Sequence, residues 1–130
     1  MRNTVITKDM IANPKTHYGN AKASTRHFIT QRVTGAINIL FLGLLLYLVV
    51  RLAGQDRTDM VAVIGSAWIG LPLAVLIAIV AVHMRNGMRD TLEDYLHGRV
   101  YSLVMMLNTL FCLVIALAGI GAVLKLVFWG

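Results

Sequence analysis

Three long stretches without a charged side chain restrict what this sequence can fold into. They run over residues 33–50, 60–84 and 100–124. Each is near or above the roughly 18–20 residues that a helix needs to cross the hydrocarbon core of a bilayer. Because lipid offers the backbone no hydrogen bonds, every amide must be paired within the chain, and a helix achieves this. The sequence therefore predicts an all-α membrane protein with three transmembrane helices.

The expected organisation is a short leading segment followed by one membrane domain. We place the leading segment at residues 1–26 and the three-helix transmembrane domain at residues 27–130. The expected spans are residues 30–51, 60–88 and 99–126. Pro72 falls inside the second span, where it removes one helical hydrogen bond that neighbouring helices can compensate.

The composition supports a membrane protein over a soluble or nucleic-acid-binding one. Only 14% of the residues are charged, against about a quarter in ordinary soluble domains. The net charge of +6 could suggest nucleic acid. The positive charges flank the apolar stretches, however, and do not alternate with aromatic residues, which is typical of membrane topology. The single cysteine, Cys112, excludes a disulfide within the chain.

The distribution of lysine and arginine predicts the orientation. Nine of the 12 lie before the first apolar stretch or between the second and third stretches, and the other three lie in the first loop and the tail. The positive-inside rule then puts residues 1–26 and the segment His83–Arg99 in the cytoplasm and the C-terminus on the opposite, periplasmic side.

His83 is an ionisable residue at the cytoplasmic end of the second span, which makes it a functional candidate. A neutral imidazole is a good axial ligand for haem iron. Gly87, one turn further on the same face, would let a flat macrocycle lie against the backbone. The alternatives are an interfacial histidine that meets water and a glycine used for close helix packing.

Haem propionates need cationic partners, and three arginines lie at a suitable depth. Arg32, Arg85 and Arg89 could each bind a carboxylate through two hydrogen bonds. Alternatively, these arginines only extend to the interface and set the topology. No second histidine faces His83 from another span, so a six-coordinate haem would need a histidine from a partner subunit.

Asp94 and Tyr95 form a second candidate site. In a continuous helix Asp94 lies almost three turns, or about 16 Å, beyond His83 on the same stripe. The Tyr95 hydroxyl could donate to a quinone carbonyl, and the Asp94 carboxylate could orient it or relay protons. The alternative is an interfacial tyrosine beside an acidic residue at a helix end.

Together these motifs resemble a known family. The string His83-x-x-x-Gly87 followed by Asp94-Tyr95 is similar to the small hydrophobic membrane anchor, the D subunit, of succinate dehydrogenase (complex II). The segment "EDYLHG" at residues 93–98 looks like that of alphaproteobacterial and mitochondrial-type members. "RHFITQRVTG" at residues 26–35 resembles the family's segment before its first helix. The resemblance covers residues 26–130.

The resemblance implies a role for each candidate residue. His83 matches the family's axial ligand of haem b, and Arg32 matches the arginine beside the haem propionates. Tyr95 matches the tyrosine that hydrogen-bonds ubiquinone, with Asp94 in support. Gly87 would then pack against the haem.

The resemblance also implies partners and a location. The chain would join a larger cytochrome b anchor subunit (the C subunit), an iron–sulfur subunit and a flavoprotein subunit in the bilayer of a bacterial inner membrane. It would not be catalytic alone, since succinate is oxidised on the flavoprotein, and no nucleic-acid partner is expected. Two alternatives stay open at this point: the anchor of a quinol:fumarate reductase, and a cofactor-free structural or transporter subunit of three helices.

Overall fold

The computed structural model describes residues 21–130, and side chains from residue 23 onward. In this part of the chain four helices follow one another: α1 (Ala21–Leu52), α2 (Arg57–Ile64), α3 (Ala67–Tyr95) and α4 (Gly98–Trp129). The three long helices are apolar and long enough to cross a membrane. The predicted all-α architecture with three such helices is therefore confirmed. Most of the expected leading segment, residues 1–26, lies outside the described residues.

The second uncharged stretch is divided between two helices. Asp56 caps α2, since its side chain accepts a hydrogen bond from the Asp59 amide at 3.2 Å. The chain then breaks at Gly65 and Ser66 before α3 begins. A Cβ on Gly65 would lie 2.7 Å from the Leu126 carbonyl oxygen, so the break packs directly against the backbone of α4. The second span is expected to start at residue 60, and the long helix that contains most of it, α3, begins at Ala67.

α3 packs against both other long helices. The apolar end of the bundle, near the α2–α3 break, buries Leu48, Leu73, Ala74 and Val123. Small residues permit the close approach there, since a Cβ on Gly70 would overlap the Val127 side chain of α4. Helices that meet in lipid gain mainly from such van der Waals contact, which small residues allow.

The outer surface of the long helices is strongly apolar. Val50 is 78% exposed and Leu40 is 67% exposed, although both are large hydrophobic residues. Soluble monomers rarely expose extended apolar patches. A surface of this kind is suited to lipid or to other membrane helices.

Candidate functional site

α1 and α3 meet through a row of polar contacts, which we call the polar seam. Two hydrogen-bonded pairs, Thr34 with His83 and His27 with Asp90, form the polar seam, and between them the Gln31 side chain lies beside Gly87. The two sets of residues recur at helical spacing, so each set lies on one face of its helix. As the numbering rises on α3 it falls on α1, because the helices are antiparallel. The polar seam therefore runs from His83 towards the charged end of α3.

His83 is half-buried, and its ring is fixed by Thr34. The His83 Nδ1 atom lies 3.1 Å from the Thr34 hydroxyl oxygen. That hydroxyl donates its single hydrogen to the Thr30 carbonyl oxygen, 2.7 Å away. With this hydrogen donated to Thr30, the hydroxyl oxygen is an acceptor, which matches the His83 tautomer that carries its proton on Nδ1. This tautomer leaves the lone pair of His83 Nε2 available to a metal.

Gly35 provides the space for the His83 ring. A Cβ at Gly35 would lie 3.2 Å from His83 Cε1, closer than most real contacts. Any larger residue would push the ring away from α1. Sequence reasoning did not single out Thr34 or Gly35, although both stand in the string at residues 26–35. Thr34 and Gly35 lie at the start of the first uncharged stretch, and His83 lies at the end of the second. In antiparallel spans these positions are at the same depth, which is the signal that could have identified them.

Arg32 lies on α1 next to Gly35. It is three residues before Gly35, about one turn, so the two share one flank of the helix. The Arg32 side chain is exposed, and its guanidinium carbon lies 4.7 Å from the centre of the Phe28 ring. This cation–π contact holds the guanidinium while leaving its donors accessible.

Gly87 contacts α1. A Cβ at Gly87 would lie 3.2 Å from the Gln31 side-chain nitrogen, so the two helices approach closely at this level. This contact favours the close-packing alternative for Gly87, and its packing against a haem stays a prediction. The Gln31 and Asn38 side-chain oxygens are buried and accept no hydrogen bond within the described residues.

The charged end of the polar seam carries an ion pair. The His27 Nε2 atom lies 2.6 Å from the Asp90 carboxylate and ties the start of α1 to α3. Nearby, Arg89 binds Glu93 at 2.7 Å, and the Tyr101 hydroxyl of α4 donates to the same carboxylate at 3.0 Å. Arg89 is thus paired within α3, and Glu93 links α3 with α4.

Asp94 and Tyr95 lie at the end of α3. The helix is continuous from His83 to Tyr95, which is the condition for the stripe expected from their spacing. Asp94 is exposed, and Tyr95 is 78% exposed. Both side chains project from the bundle, and the structure does not bring Tyr95 into the cluster around His83.

Arg85 belongs to a different face. Its Nε donates to the Thr109 hydroxyl of α4 at 3.0 Å, and one Nη donates to the Asn86 side-chain oxygen at 3.3 Å. The side-chain amide of Asn108 donates to the Arg85 carbonyl oxygen at 3.2 Å. Arg85 therefore joins α3 to α4, away from α1. Across residues 23–130, no cluster of three or more His, Cys, Asp or Glu side chains could hold a metal ion.

Comparison with known families gave one informative result. The family model described as succinate dehydrogenase/fumarate reductase transmembrane subunit matches residues 7–117. The matched region contains α1, α2, α3 and most of α4. Comparisons with curated proteins and with solved structures gave no significant match.

Proposed function

Since the chain belongs to the succinate dehydrogenase/fumarate reductase transmembrane subunit family, we propose that it is the smaller anchor, or D subunit, of a succinate:quinone oxidoreductase. It would attach an iron–sulfur subunit and a flavoprotein subunit to the membrane, together with a larger cytochrome b anchor subunit. Succinate is oxidised on the flavoprotein, and this chain contributes to the sites that receive the electrons.

The observation that carries this proposal is the geometry of His83. In the tautomer in which Thr34 accepts from Nδ1–H, the lone pair of His83 Nε2 is free and would bind the iron of haem b. Metal-bound histidines usually donate their other ring nitrogen in this way, which fixes the tautomer and raises the basicity of the ligand. Among the described residues only His83 has this arrangement, so the second ligand would come from the larger anchor. When bound, the haem supplies a one-electron redox centre.

The surroundings of His83 fit a b-type haem. The α1 flank beside Gly35 carries Phe28 and Ile39, which are 57% and 71% exposed, so it offers an apolar surface to a macrocycle. Arg32 lies on the same flank and would bind a propionate. It suits this role better than Arg89, which is paired with Glu93, or Arg85, which faces α4.

Tyr95 and Asp94 would form part of the ubiquinone site. Their exposure at the end of α3 leaves them accessible to a quinone and to the iron–sulfur subunit. The Tyr95 hydroxyl would donate to a quinone carbonyl oxygen. Full reduction adds two electrons and two protons, and the Asp94 carboxylate could pass protons from water.

The proposed location is the inner membrane of a bacterium. The excess of lysine and arginine beside α1 and between α3 and α4 supports a cytoplasmic N-terminus and a periplasmic C-terminus. The quinone residues would then lie on the cytoplasmic side, where the soluble subunits dock.

The test is substitution of His83 in the assembled complex. His83→Ala should remove or convert the low-spin b-type spectrum, because one axial ligand is lost. The matched control is His97→Ala, since His97 is exposed in the α3–α4 connection and its side chain does not cap α4. An unchanged bis-imidazole spectrum in His83→Ala would refute the assignment.

The family also contains transmembrane subunits of fumarate reductases. An anchor of that kind would use the same residues in the reverse direction, because the direction depends on cofactor potentials in the other subunits. Succinate:quinone and quinol:fumarate rates of the purified complex separate the two activities.

A further inference from the structure

An apolar groove lies between α3 and α4. Its volume is about 380 Å³, within the range of roughly 300–1,000 Å³ typical of small-molecule pockets. Ala78 and Ala81 of α3 and Ala116 of α4 line it, and their small side chains give the groove its depth. It extends along α4 as far as Ile120.

A cation lies at one end of this groove. Arg85 is the first charged residue after the uncharged stretch of α3, it is half-buried, and it lines the groove beside Thr109. Its side-chain partners, Thr109 and Asn86, are neutral. The two ion pairs in the described part of the chain, His27–Asp90 and Arg89–Glu93, do not include Arg85.

A guanidinium at this depth calls for an anionic partner. Charged side chains within a membrane span are costly and almost always pair, and Arg85 lies ten residues before the end of α3. The bond from Arg85 Nε to Thr109 orients the guanidinium, and the remaining donors form a fork that matches a phosphate. The charge of Arg85 and the apolar walls of the groove thus complement a molecule with an anionic head and a hydrocarbon tail.

The direction in which the groove faces identifies the occupant. His83 and Arg85 are two residues apart on α3, so their side chains point about 160° away from each other. The larger anchor must lie on the His83 side to supply the second haem ligand, a step that rests on the proposed function. The groove therefore faces away from that subunit and towards lipid.

We propose that this groove binds an anionic phospholipid. The phosphate lies on the Arg85 guanidinium, and one acyl chain runs along the alanine-lined wall towards Ile120. The lipid comes from the leaflet on the side where α3 ends and α4 begins, since Arg85 lies at that end of the groove. Such a lipid seals the gap between α3 and α4 and neutralises Arg85.

Arg85→Gln tests the head-group contact. The assembled complex is purified, incorporated into nanodiscs of equal parts phosphatidylglycerol and phosphatidylcholine, and washed in detergent, and the retained lipids are measured by mass spectrometry. Arg85→Gln should lose about one equivalent of phosphatidylglycerol, because the phosphate loses its charge-assisted bonds. The control is Arg89→Gln, whose side chain pairs with Glu93 and does not line the groove.

Ala116→Phe tests the tail contact with Arg85 intact. The larger side chain fills the groove and should also displace the retained phosphatidylglycerol. Ala118→Phe is the control, because Ala118 is exposed and does not line the groove. Wild-type lipid retention in both Arg85→Gln and Ala116→Phe overturns the proposal, as does retained lipid that is mainly phosphatidylcholine.

The haem spectrum is recorded on the same samples. Loss of phosphatidylglycerol with an intact b-type spectrum supports the lipid site. A wild-type complex without a b-type spectrum refutes the proposed function instead, and the lipid measurement still decides whether the groove binds lipid.

Discussion

The two ends of the helix bundle are held together in different ways. At the apolar end, Leu48, Leu73, Ala74 and Val123 are each at most 7% exposed and pack without hydrogen bonds between side chains. At the other end, the polar seam joins α1 to α3 through directional contacts such as Thr34–His83. Because lipid is as apolar as leucine, helices in a membrane gain little from burying apolar surface, and the first end is stabilised by tight van der Waals packing. At the second end, hydrogen bonds orient the side chains.

Because the two ends are held together differently, we predict that the apolar end mainly determines the stability of the complex. The other end should mainly affect the cofactor chemistry. Substitutions at the apolar end should lower the stability of the complex while the surviving molecules keep their spectrum. Substitutions in the polar seam next to His83 should change the haem, and substitution of Tyr95 at the exposed end of α3 should change the quinone reaction, while the fold persists. The four predictions below test this separation, beginning with the largest expected effect.

The largest effect is expected from Gly70→Ala at the apolar end. The new Cβ would overlap the Val127 side chain and lie 2.6 Å from the Ile64 carbonyl oxygen, so backbone must shift. Overpacking of this kind costs about 1–3 kcal/mol. The control is Gly43→Ala, where nothing lies within 4 Å of the new Cβ. Denaturation of the purified complex should show a clear loss of stability for Gly70→Ala and none for Gly43→Ala.

A changed haem spectrum in the Gly70→Ala complex that survives would break the comparison. It would mean that strain at the apolar end reaches His83 along α3, and that the two ends do not act separately.

The long helices and the candidates on α3 follow from local sequence, but the polar seam does not. Uncharged stretches of sufficient length predict α1, α3 and α4, and the spacing of His83 and Asp94 predicts their stripe. Thr34 contacts His83 only because the rotation and register of α1 relative to α3 bring the two side chains together. Rotation and register depend on packing between helices, which the spacing within one helix does not encode.

The break at Gly65 and Ser66 escaped prediction for a related reason. Both residues lie in an uncharged stretch, and nothing in that stretch is incompatible with a single helix. At the break, Gly65 packs against the Leu126 carbonyl group of α4, which is 61 residues away in sequence. Contacts between distant residues are not encoded in a local pattern, so the uncharged stretch predicts a span but not the break between α2 and α3.

The second prediction concerns Thr34 in the polar seam. Thr34→Val keeps the shape of the side chain but removes the acceptor for His83 Nδ1–H. Loss of such a partner typically costs about 10–100-fold in metal affinity. We therefore expect weaker haem retention and a higher midpoint potential, because a less basic imidazole stabilises ferric iron less. Redox titration and haem content measure both effects.

Thr34→Ser is the matched control for Thr34→Val, because it restores the hydroxyl. It should return the midpoint potential towards the wild-type value, and neither variant should greatly change thermal stability. Equal potentials in Thr34→Val and the wild type would mean that the bond between Thr34 and His83 does not tune the iron ligand.

The third prediction concerns Tyr95, at the exposed end of α3. Tyr95→Phe keeps the ring and removes the donor, and a hydrogen bond to a neutral acceptor is worth about 0.5–1.5 kcal/mol. Succinate:quinone activity should fall a few-fold to about tenfold. Succinate oxidation with an acceptor that takes electrons before the membrane should survive. The haem spectrum should stay nearly constant, because Tyr95 is 78% exposed and lies outside the cluster around His83.

Full quinone activity and unchanged inhibitor sensitivity in Tyr95→Phe would make Tyr95 an interfacial tyrosine. The quinone pocket would then be formed mainly by the partner subunits.

The smallest effect is expected from the ion pair between His27 and Asp90. These side chains are 26% and 49% exposed, so water and salt weaken their attraction. Exposed pairs contribute about 0.2–1 kcal/mol. A double-mutant cycle with His27→Gln and Asp90→Asn, followed by denaturation of the complex, should give a coupling energy in that range that shrinks as salt is added. A coupling of several kcal/mol would show that the polar seam holds α1 to α3 as firmly as apolar packing does, and the contrast between the two ends would fail.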